Sequence, residues 1–334
     1  MSTVDSTAGG SAALQMGGQA TAARKDATLP SITPDFVRAL IDFAPTKETK
    51  RLGFAEDQLE GSVAIFNMLA RNRCAYLADE VGMGKTYVAL AVMSLVRYFD
   101  PRARIVVITP RENIQRKWVK ELQNFVGRNW KPIGNRVKSL QGGPAWQPVL
   151  CGSLLDFARE ALINADRDFF LRMTSFSLAL KQPENRRRLR RELRRLLPWL
   201  SPHALSPKNP EEFRDAFGCA LNAAVPDADL LVIDEGHNLK HGFRAKGSIR
   251  NRILGFAFGH PEGVSDDRPW YRPRAKRVLL LSATPFEEEY GAVQRQFEIL
   301  GFGRAKLRDA QDNTHLRVSD LNDPELSESE KRLI

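Results

Sequence analysis

The sequence predicts an α/β protein with a mostly parallel sheet and helices on both of its faces. Short runs of β-branched and other apolar residues recur along the chain, and stretches with helical spacing of apolar residues separate them. Apolar runs without polar alternation are typical of strands that are buried on both faces. Because parallel strands end at a common edge, we expect the functional residues to follow the strands at that edge.

The predicted elements start after residues 1–30, which are rich in Gly, Ala, Ser and Thr and therefore predict a disordered tail. A first helix is expected within residues 31–42. Further helices are predicted at 85–97 and 113–125, and strands are predicted at 74–77, 105–109, 170–175, 230–233 and 278–282.

Two regions interrupt this alternation of strands and helices. Residues 127–229 contain one clear strand and a strongly basic helix at 181–200. Residues 251–277 are rich in Gly, Pro, Asp and Arg, which predicts a long loop. Residues 309–334 are polar and acidic, and we expect a linker there.

Composition limits the class of protein. With 43% hydrophobic and 27% charged residues, the chain is typical of a globular protein, which excludes a collagen-like or wholly disordered chain. Its three cysteines are far apart, and this argues against a disulfide framework or a structural zinc site. No apolar run approaches about 18 residues, and the first residues lack the pattern of a signal peptide. We therefore expect a cytoplasmic protein without a membrane partner.

The segment 79–86, DEVGMGKT, lies between a predicted strand and a predicted helix, which is the position of a phosphate-binding loop. Gly82 and Gly84 allow a tight turn in which backbone N–H groups point at phosphate oxygens. Lys85 is expected to reach the β- and γ-phosphates, and the Thr86 hydroxyl is expected to bind Mg²⁺. The strict pattern has Gly at the first position, so the alternative is a glycine-rich turn that contains Lys-Thr by chance.

A second motif follows the predicted strand 230–233. Its residues are Asp234-Glu235-Gly236-His237. Asp234 is placed to hold the Mg²⁺ that bridges nucleotide phosphates. Glu235 is a candidate for orienting and deprotonating the attacking water. An acidic turn after a buried strand is common by itself, but together with the phosphate loop it predicts a site for Mg-ATP hydrolysis.

These motifs resemble those of the N-terminal motor lobe of bacterial Swi/Snf-type ATPases in helicase superfamily two. That family typically has DExGxGKT in its loop, and residues 234–237 match its DExH box. The segment 281–285, LSATP, resembles its third motif, which links nucleotide state to nucleic-acid contact. Gln58 is similar to its adenine-recognising glutamine. Thr109-Pro110 with Trp118 and Glu121 resemble its P…QW…E stretch, and residues 174–176 resemble its TSY motif with Phe in place of Tyr.

The resemblance implies a RecA-like lobe over residues 31–308 and assigns roles to individual residues. The implied catalytic residues are Lys85, Asp234 and Glu235, and the implied metal ligands are Thr86 and Asp234. The implied ATP-binding residues are Gln58, Glu80, Gly82, Met83, Gly84, Lys85, Thr86 and His237. Coupling of ATP hydrolysis to nucleic acid is implied for Ser282, Ala283 and Thr284, with His237 relaying to Ser282 and Thr284.

Two departures from the family pattern affect the expected organisation. The separation of Lys85 from Asp234 is long for the family, which indicates an insertion at about 127–229. The family also needs a second RecA-like lobe, whose arginines complete the ATP site. We expect that lobe in trans or on further C-terminal sequence, with 309–334 as a polar linker toward it. Without it, ATP hydrolysis is expected to be weak or absent.

Basic segments are the candidates for nucleic-acid contact. The formal net charge is +10, and residues 181–195 carry one lysine and seven arginines against two glutamates. The candidate contacts are Thr174, Ser175, Arg187, Arg190, Arg191 and Arg194. A solvated helix docked by its leucines, or an acidic protein partner, would also fit this segment. Trp270 and Tyr271 lie among five basic residues within 268–277, where they either stack on bases or cover the edge of the lobe.

Four functions remain open at this point. The resemblance favours an ATP-dependent motor on nucleic acid, with double-stranded DNA as the expected partner. It also implies a bacterial cytoplasm, where the protein is either free or associated with the nucleoid. The alternatives are a regulatory module that binds ATP without turnover and an RNA-directed helicase of the same superfamily. A P-loop kinase is disfavoured because the glutamine, Thr-Ser-Phe and Ser-Ala-Thr motifs would then have no role.

Overall fold

The computed structural model describes residues 28–78, 84–132, 147–164, 167–205, 209–243, 249–283 and 290–302, with two short strands at 307–308 and 315–316. The predicted tail up to residue 27, most of the predicted linker, and residues Glu80, Gly82, Met83 and Thr284 lie outside the described residues.

The strands are β1 Cys74–Ala78, β2 Ile105–Thr109, β3 Val149–Leu150, β4 Phe169–Arg172, β5 Leu230–Asp234, β6 Val278–Ser282, β7 Leu307–Arg308 and β8 His315–Leu316. The α-helices are α1 Pro34–Leu40, α2 Lys47–Leu52, α3 Ala55–Asn72, α4 Lys85–Phe99, α5 Glu112–Arg128, α6 Leu154–Ile163, α7 Pro183–Leu196, α8 Pro210–Asn222, α9 Ile249–Phe258 and α10 Tyr290–Glu298. Short 3₁₀ helices occupy Met173–Phe176, Pro202–Leu205, Gly236–Leu239 and Pro261–Gly263.

The first six strands form one sheet in the order β1-β6-β5-β2-β4-β3, and each neighbouring pair is parallel. This confirms the predicted α/β fold with a parallel sheet. Because β1, β6 and β5 are neighbours, the segments that follow their carboxyl ends start side by side. The phosphate loop, residues 79–86, follows β1. The third motif, residues 281–285, begins in β6, and the DEGH turn, residues 234–237, begins at the end of β5.

Both faces of this sheet are covered. Ile105 and Val107 of β2 pack into a core shared with α1, α3, α4 and α5. Val106 and Ile108 point to the other face, where they pack into a core shared with α6, α7, α8 and α9. The alternation follows from the two-residue period of a strand, and burial on both sides explains why the strand has no polar residue inside it. Among the described helices, none is both long and apolar enough to cross a membrane.

The predicted strand 170–175 is wrong at its end. β4 stops at Arg172, and Met173–Phe176 form a 3₁₀ turn. Within that turn the Ser175 hydroxyl donates a hydrogen bond to the carbonyl oxygen of Gly152, at 3.3 Å. Thr174 and Ser175 therefore lie on a turn at the carboxyl edge of the sheet rather than inside it.

The predicted long loop at 251–277 is also wrong, because α9 occupies its first part. The apolar residues of this helix from Ile253 to Phe258 are fully or almost fully buried. Gly255 lies against the Phe243 ring and the Ile299 carbonyl, where an added Cβ would come within 2.7 and 2.8 Å of them. The glycine therefore permits close packing and does not mark a turn.

Candidate functional site

Helix α4 begins where the phosphate loop ends. Gly84 has a φ of +87°, in the left-handed region that favours glycine, and it turns the chain into the helix. No side chain caps this helix, and its first turn has no acidic residue. The positive end of the helix dipole is therefore left for an external anion, which fits the phosphates of ATP. Lys85 and Thr86 are the first two residues of the helix, on the loop side.

Gln58 lies next to the same turn, although it is 26 residues earlier in the chain. It is part of α3, and a Cβ added to Gly84 would lie 2.1 Å from the Gln58 Nε2 atom. The two residues are thus in direct contact, and a side chain at position 84 would displace the Gln58 amide from this position. Its contact with an adenine base stays a prediction.

Asp234 ends β5, and both oxygens of its carboxylate have hydrogen-bond donors. The Trp118 Nε1–H donates to Oδ2 at 2.8 Å, and the backbone N–H of Glu235 donates to Oδ1 at 3.0 Å. Burial nevertheless raises the pKa of the Asp234 carboxyl, against the effects of these bonds and of Lys85. A cation beside this carboxylate would stabilise its ionised form. Asp234 and the Thr86 hydroxyl together offer the oxygen ligands that Mg²⁺ prefers.

Glu235 and His237 occupy the turn after β5. Glu235 has a φ of +55°, a conformation that is uncommon for a residue with a side chain and that clusters at functional sites. The His237 Nδ1 atom lies 3.2 Å from Glu235 Oε2 and 3.2 Å from Ser282 Oγ. The DEGH turn and the third motif are therefore in contact through this imidazole, as the resemblance implies. Ala283 follows directly after β6, beside Ser282.

Tyr76 and Gln296 support this contact, and the sequence did not indicate either residue. The Tyr76 hydroxyl lies within hydrogen-bonding reach of Ser282, and it donates to Gln296 Oε1 at 3.2 Å. Gln296 is buried in α10, and its Oε1 would be 3.1 Å from a Cβ on Gly236. β1, β6, α10 and the DEGH turn are thus linked by polar side chains beneath the site.

A cleft of about 520 Å³ opens at the carboxyl ends of β2, β4 and β5. It brings Glu235 and His237 together with Thr174, whereas Ser175 is not among its lining residues. The other residues that line it are Pro110, Arg111, Asn113, Ile114, Met173, Asn238 and Arg250. Part of the predicted nucleic-acid contact therefore shares one space with part of the predicted hydrolytic site.

The arginine candidates lie elsewhere. Arg187, Arg190, Arg191 and Arg194 line a separate recess of about 500 Å³ on α7, and none of its lining residues is shared with the cleft. The aromatic candidates cover the edge of the lobe. Tyr271 is buried and donates its hydroxyl hydrogen to the His260 carbonyl at 2.8 Å, so it is not available to stack on a base.

The parallel sheet, with the start of α4, the DEGH turn and the third motif at one edge, has the architecture of a RecA-like α/β lobe. Residues 51–147 match the family described as Type III restriction enzyme, res subunit. This match includes Gln58, the phosphate loop with Lys85 and Thr86, and Trp118. No curated protein matches the chain.

One solved structure that resembles the chain is the SWI2/SNF2 ATPase core of Sulfolobus solfataricus in complex with dsDNA. The two share 14% identity at a TM-score of 0.40, over 73% of this chain and 35% of that chain. The chain thus corresponds to about a third of that protein's length.

The hydrogen bond that Trp118 donates to Asp234 leads to a prediction about the Mg²⁺ affinity of the site. Trp118→Phe keeps an aromatic ring in this buried position but removes the Nε1–H donor that orients the carboxylate. Loss of such a partner of a metal ligand typically weakens metal binding about 10- to 100-fold, and we expect the lower end because the Glu235 N–H remains. ATP binding titrated against Mg²⁺ concentration would measure this shift.

The matched control for that variant is Trp130→Phe. Trp130 is partly buried and packs edge-to-face on Tyr98, with ring centroids 6.1 Å apart. The Mg²⁺ concentration at which the Trp130→Phe variant binds ATP should equal that of the wild type. An equal shift in both variants would mean that loss of aromatic packing, not loss of the donor, weakens the site.

Proposed function

We propose that the chain is the ATP-binding and ATP-hydrolysing motor lobe of a Swi/Snf-like translocase that moves on double-stranded DNA. The observation that carries this proposal is the cleft that Glu235 and His237 share with Thr174. A motor must transmit a change at its nucleotide to its nucleic acid, and a common cleft gives the shortest path between them. The loop match and the order of the motifs support the same assignment.

In this proposal each residue at the nucleotide edge has a separate role. Lys85 and the loop N–H groups bind the phosphates, and Gln58 contacts the adenine. Thr86 and Asp234 hold Mg²⁺, which neutralises charge on the phosphates when it is bound. Glu235 accepts the proton of the attacking water.

His237 then couples the two ligands. It lies between Glu235 and Ser282, so loss of the γ-phosphate changes the balance between its two contacts. A shift of the His237 side chain toward Ser282 would move the following residues, Ala283 and Thr284, and these would transmit the movement to the bound nucleic acid. Tyr76 and Gln296 hold Ser282 and the DEGH turn in register during this exchange.

The organisation follows from the same proposal. Residues 31–308 form one RecA-like lobe. The predicted insertion 127–229 is narrower than expected, because β3 and β4 within it belong to the sheet, and it adds α6, α7 and α8 around them. Residues 309–334 lead toward a second RecA-like lobe, on further sequence or on another chain. Arginines from such a lobe contribute about 10³ to 10⁵ in rate in related NTPases, so the 334-residue chain should turn over slowly by itself.

Single-turnover hydrolysis tests this function at the low rates expected. With the protein in excess over labelled ATP, duplex DNA should raise the rate several-fold above the rate without nucleic acid. RNA duplex of the same sequence should raise it less. The control variant is Glu235→Gln, which should bind ATP normally but lose about 10²- to 10⁴-fold in rate.

Each other outcome would support an alternative. Equal or greater stimulation by RNA would favour an RNA-directed helicase. ATP binding with no turnover in the wild type, with or without DNA, would contradict the motor and favour a regulatory module.

A further inference from the structure

Five arginines of α7 and its C-terminal end converge on one recess, which we call the arginine recess. Arg187, Arg190, Arg191, Arg194 and Arg195 line it together with Pro198. Their spacing of three and four residues places them on one face of the helix. The recess has a volume of about 500 Å³ and is open to solvent.

The charge of this recess is not neutralised by the described part of the chain. Arg187, Arg191, Arg194 and Arg195 are exposed and form no ion pair with a described residue. The Oε1 atom of Glu192, on the same helix, lies 3.9 Å from the Nε atom of Arg188. Arg188 does not line the recess, so this pair leaves the charge of the recess unchanged. Like charges this close repel one another, so an anion bound among them would be stabilised.

Arg190 is held against the body of the lobe. Its guanidinium carbon lies 5.9 Å from the centroid of the Phe213 ring of α8. This cation–π contact fixes the Arg190 side chain at the recess, beside the four exposed arginines.

The helix that presents these arginines is firmly held. Leu189 and Leu193 are buried in the core, and so are Leu197 and Leu200 just beyond the helix. Trp199 packs edge-to-face on Trp270 at 5.3 Å and ties this end of the segment to the chain before β6. The arginines therefore extend from a fixed surface and not from a loop that must first become ordered.

We propose that the arginine recess binds the phosphodiester backbone of nucleic acid, as a second contact separate from the cleft. Arg187 and Arg194 are about 10 Å apart along the helix at 1.5 Å per residue. One DNA strand carries one negative charge per 3.4 Å of duplex axis, and four exposed guanidinium groups over about 10 Å have a comparable charge density. Guanidinium groups bind phosphate oxygens in pairs, which lysines do not.

The lining also distinguishes nucleic acid from an acidic protein. Protein interfaces depend on aromatic or aliphatic anchors in pockets, and the recess has five arginines and one proline. A polyanion that needs only charge and hydrogen bonds fits this lining better. The inference rests on the proposed function, because it takes nucleic acid as the partner of the lobe.

The test is duplex DNA binding by the full chain without nucleotide, followed by fluorescence anisotropy over a range of salt concentrations. The recess variant is Arg187→Gln/Arg191→Gln/Arg194→Gln. The matched control is Arg38→Gln/Arg116→Gln/Arg159→Gln, which removes three exposed arginines that are paired with carboxylates outside α7. Both triple variants lower the net charge by the same amount.

The recess variant should lose about 2 to 3 from the slope of log K against log salt, and roughly 100-fold in affinity near physiological salt. The control should keep the wild-type slope. Equal losses in both variants would overturn the proposal. It would also be overturned if poly-glutamate competed as well as duplex DNA at equal charge, since the recess would then suit an acidic protein.

ATP binding separates this proposal from the motor assignment. The recess variant should bind Mg-ATP like the wild type, and Lys85→Ala should bind DNA like the wild type. If the recess variant kept full DNA affinity while Lys85→Ala lost ATP, the motor function would stand and the recess would not be its DNA contact.

Discussion

Lys85→Ala should abolish Mg-ATP binding by this chain. Lys85 is the first residue of α4, directly after the left-handed turn at Gly84, and it lies close enough to Asp234 to favour that residue's ionised form. Alanine would leave the β- and γ-phosphates without their charged donor at a helix end that has no other positive side chain in its first turn. Isothermal calorimetry should give a clear binding curve for the wild type and none for the variant.

The matched control is Lys120→Ala. Lys120 is exposed on α5. Its replacement also removes one positive charge, but at a position that is not part of α4 or the phosphate loop. It should bind Mg-ATP with wild-type affinity. If Lys85→Ala also kept wild-type affinity, while its urea midpoint showed a folded protein, the ATP site would have to lie elsewhere.

Local sequence was enough to locate the residues of this edge. β2 and β6 match their predicted bounds, and β1 and β5 each extend one residue further. β2, β5 and β6 are almost entirely buried, so no polar residue interrupts their apolar runs. Lys85 was identified from the glycine turn and helix start around it. The family resemblance paired His237 with Ser282, and the His237 Nδ1 atom lies 3.2 Å from the Ser282 Oγ atom.

Contacts between distant segments could not be predicted in the same way. Trp118 and Asp234 are 116 residues apart, and Tyr76 and Gln296 are 220 residues apart. These contacts depend on the strand order, which inserts β6 between β1 and β5. The sequence places Trp118 at an apolar position of the otherwise polar helix α5, and the structure shows that it is buried. A buried indole N–H usually has a hydrogen-bond partner, but the sequence did not indicate which residue that partner is.

Composition misled the prediction where packing uses glycine. Gly255 and the arginines of α9 made that segment similar to a loop, but Gly255 lies under Phe243, and Arg252 stacks over the Phe243 and Phe256 rings. Arg252 also bonds Asp215 of α8. Arg252 is thus used for internal packing, whereas most arginines of α7 remain exposed.

A buried ion pair at the opposite edge of the sheet is equally hidden from local sequence. Asp168, just before β4, is 2% exposed, and Arg97 near the end of α4 is 6% exposed. One guanidinium nitrogen of Arg97 lies 2.5 and 2.6 Å from the two Asp168 oxygens. Asp168 Oδ1 also accepts a hydrogen bond from the backbone N–H of Ile105, at 2.9 Å. The pair therefore joins α4, β2 and β4 at one point.

Asp168→Asn should lower the free energy of unfolding by about 3 to 5 kcal/mol, because it leaves the Arg97 charge buried without a counter-charge. That is a large part of the stability of a typical domain. Urea unfolding followed by circular dichroism would measure it. The matched control is Asp35→Asn, which breaks an exposed pair with Arg38 and should leave the urea midpoint unchanged.

A second substitution separates the buried charge from lost hydrogen bonds. Arg97→Met/Asp168→Asn removes the charge as well, and the asparagine oxygen can still accept from the Ile105 N–H. The double variant should therefore be more stable than Asp168→Asn alone, because an uncompensated buried charge costs more than an absent pair. If it were less stable, the pair would act mainly through its hydrogen bonds. Since Arg97 and Lys85 are on the same helix, Asp168→Asn should also weaken ATP binding, whereas Asp35→Asn should not.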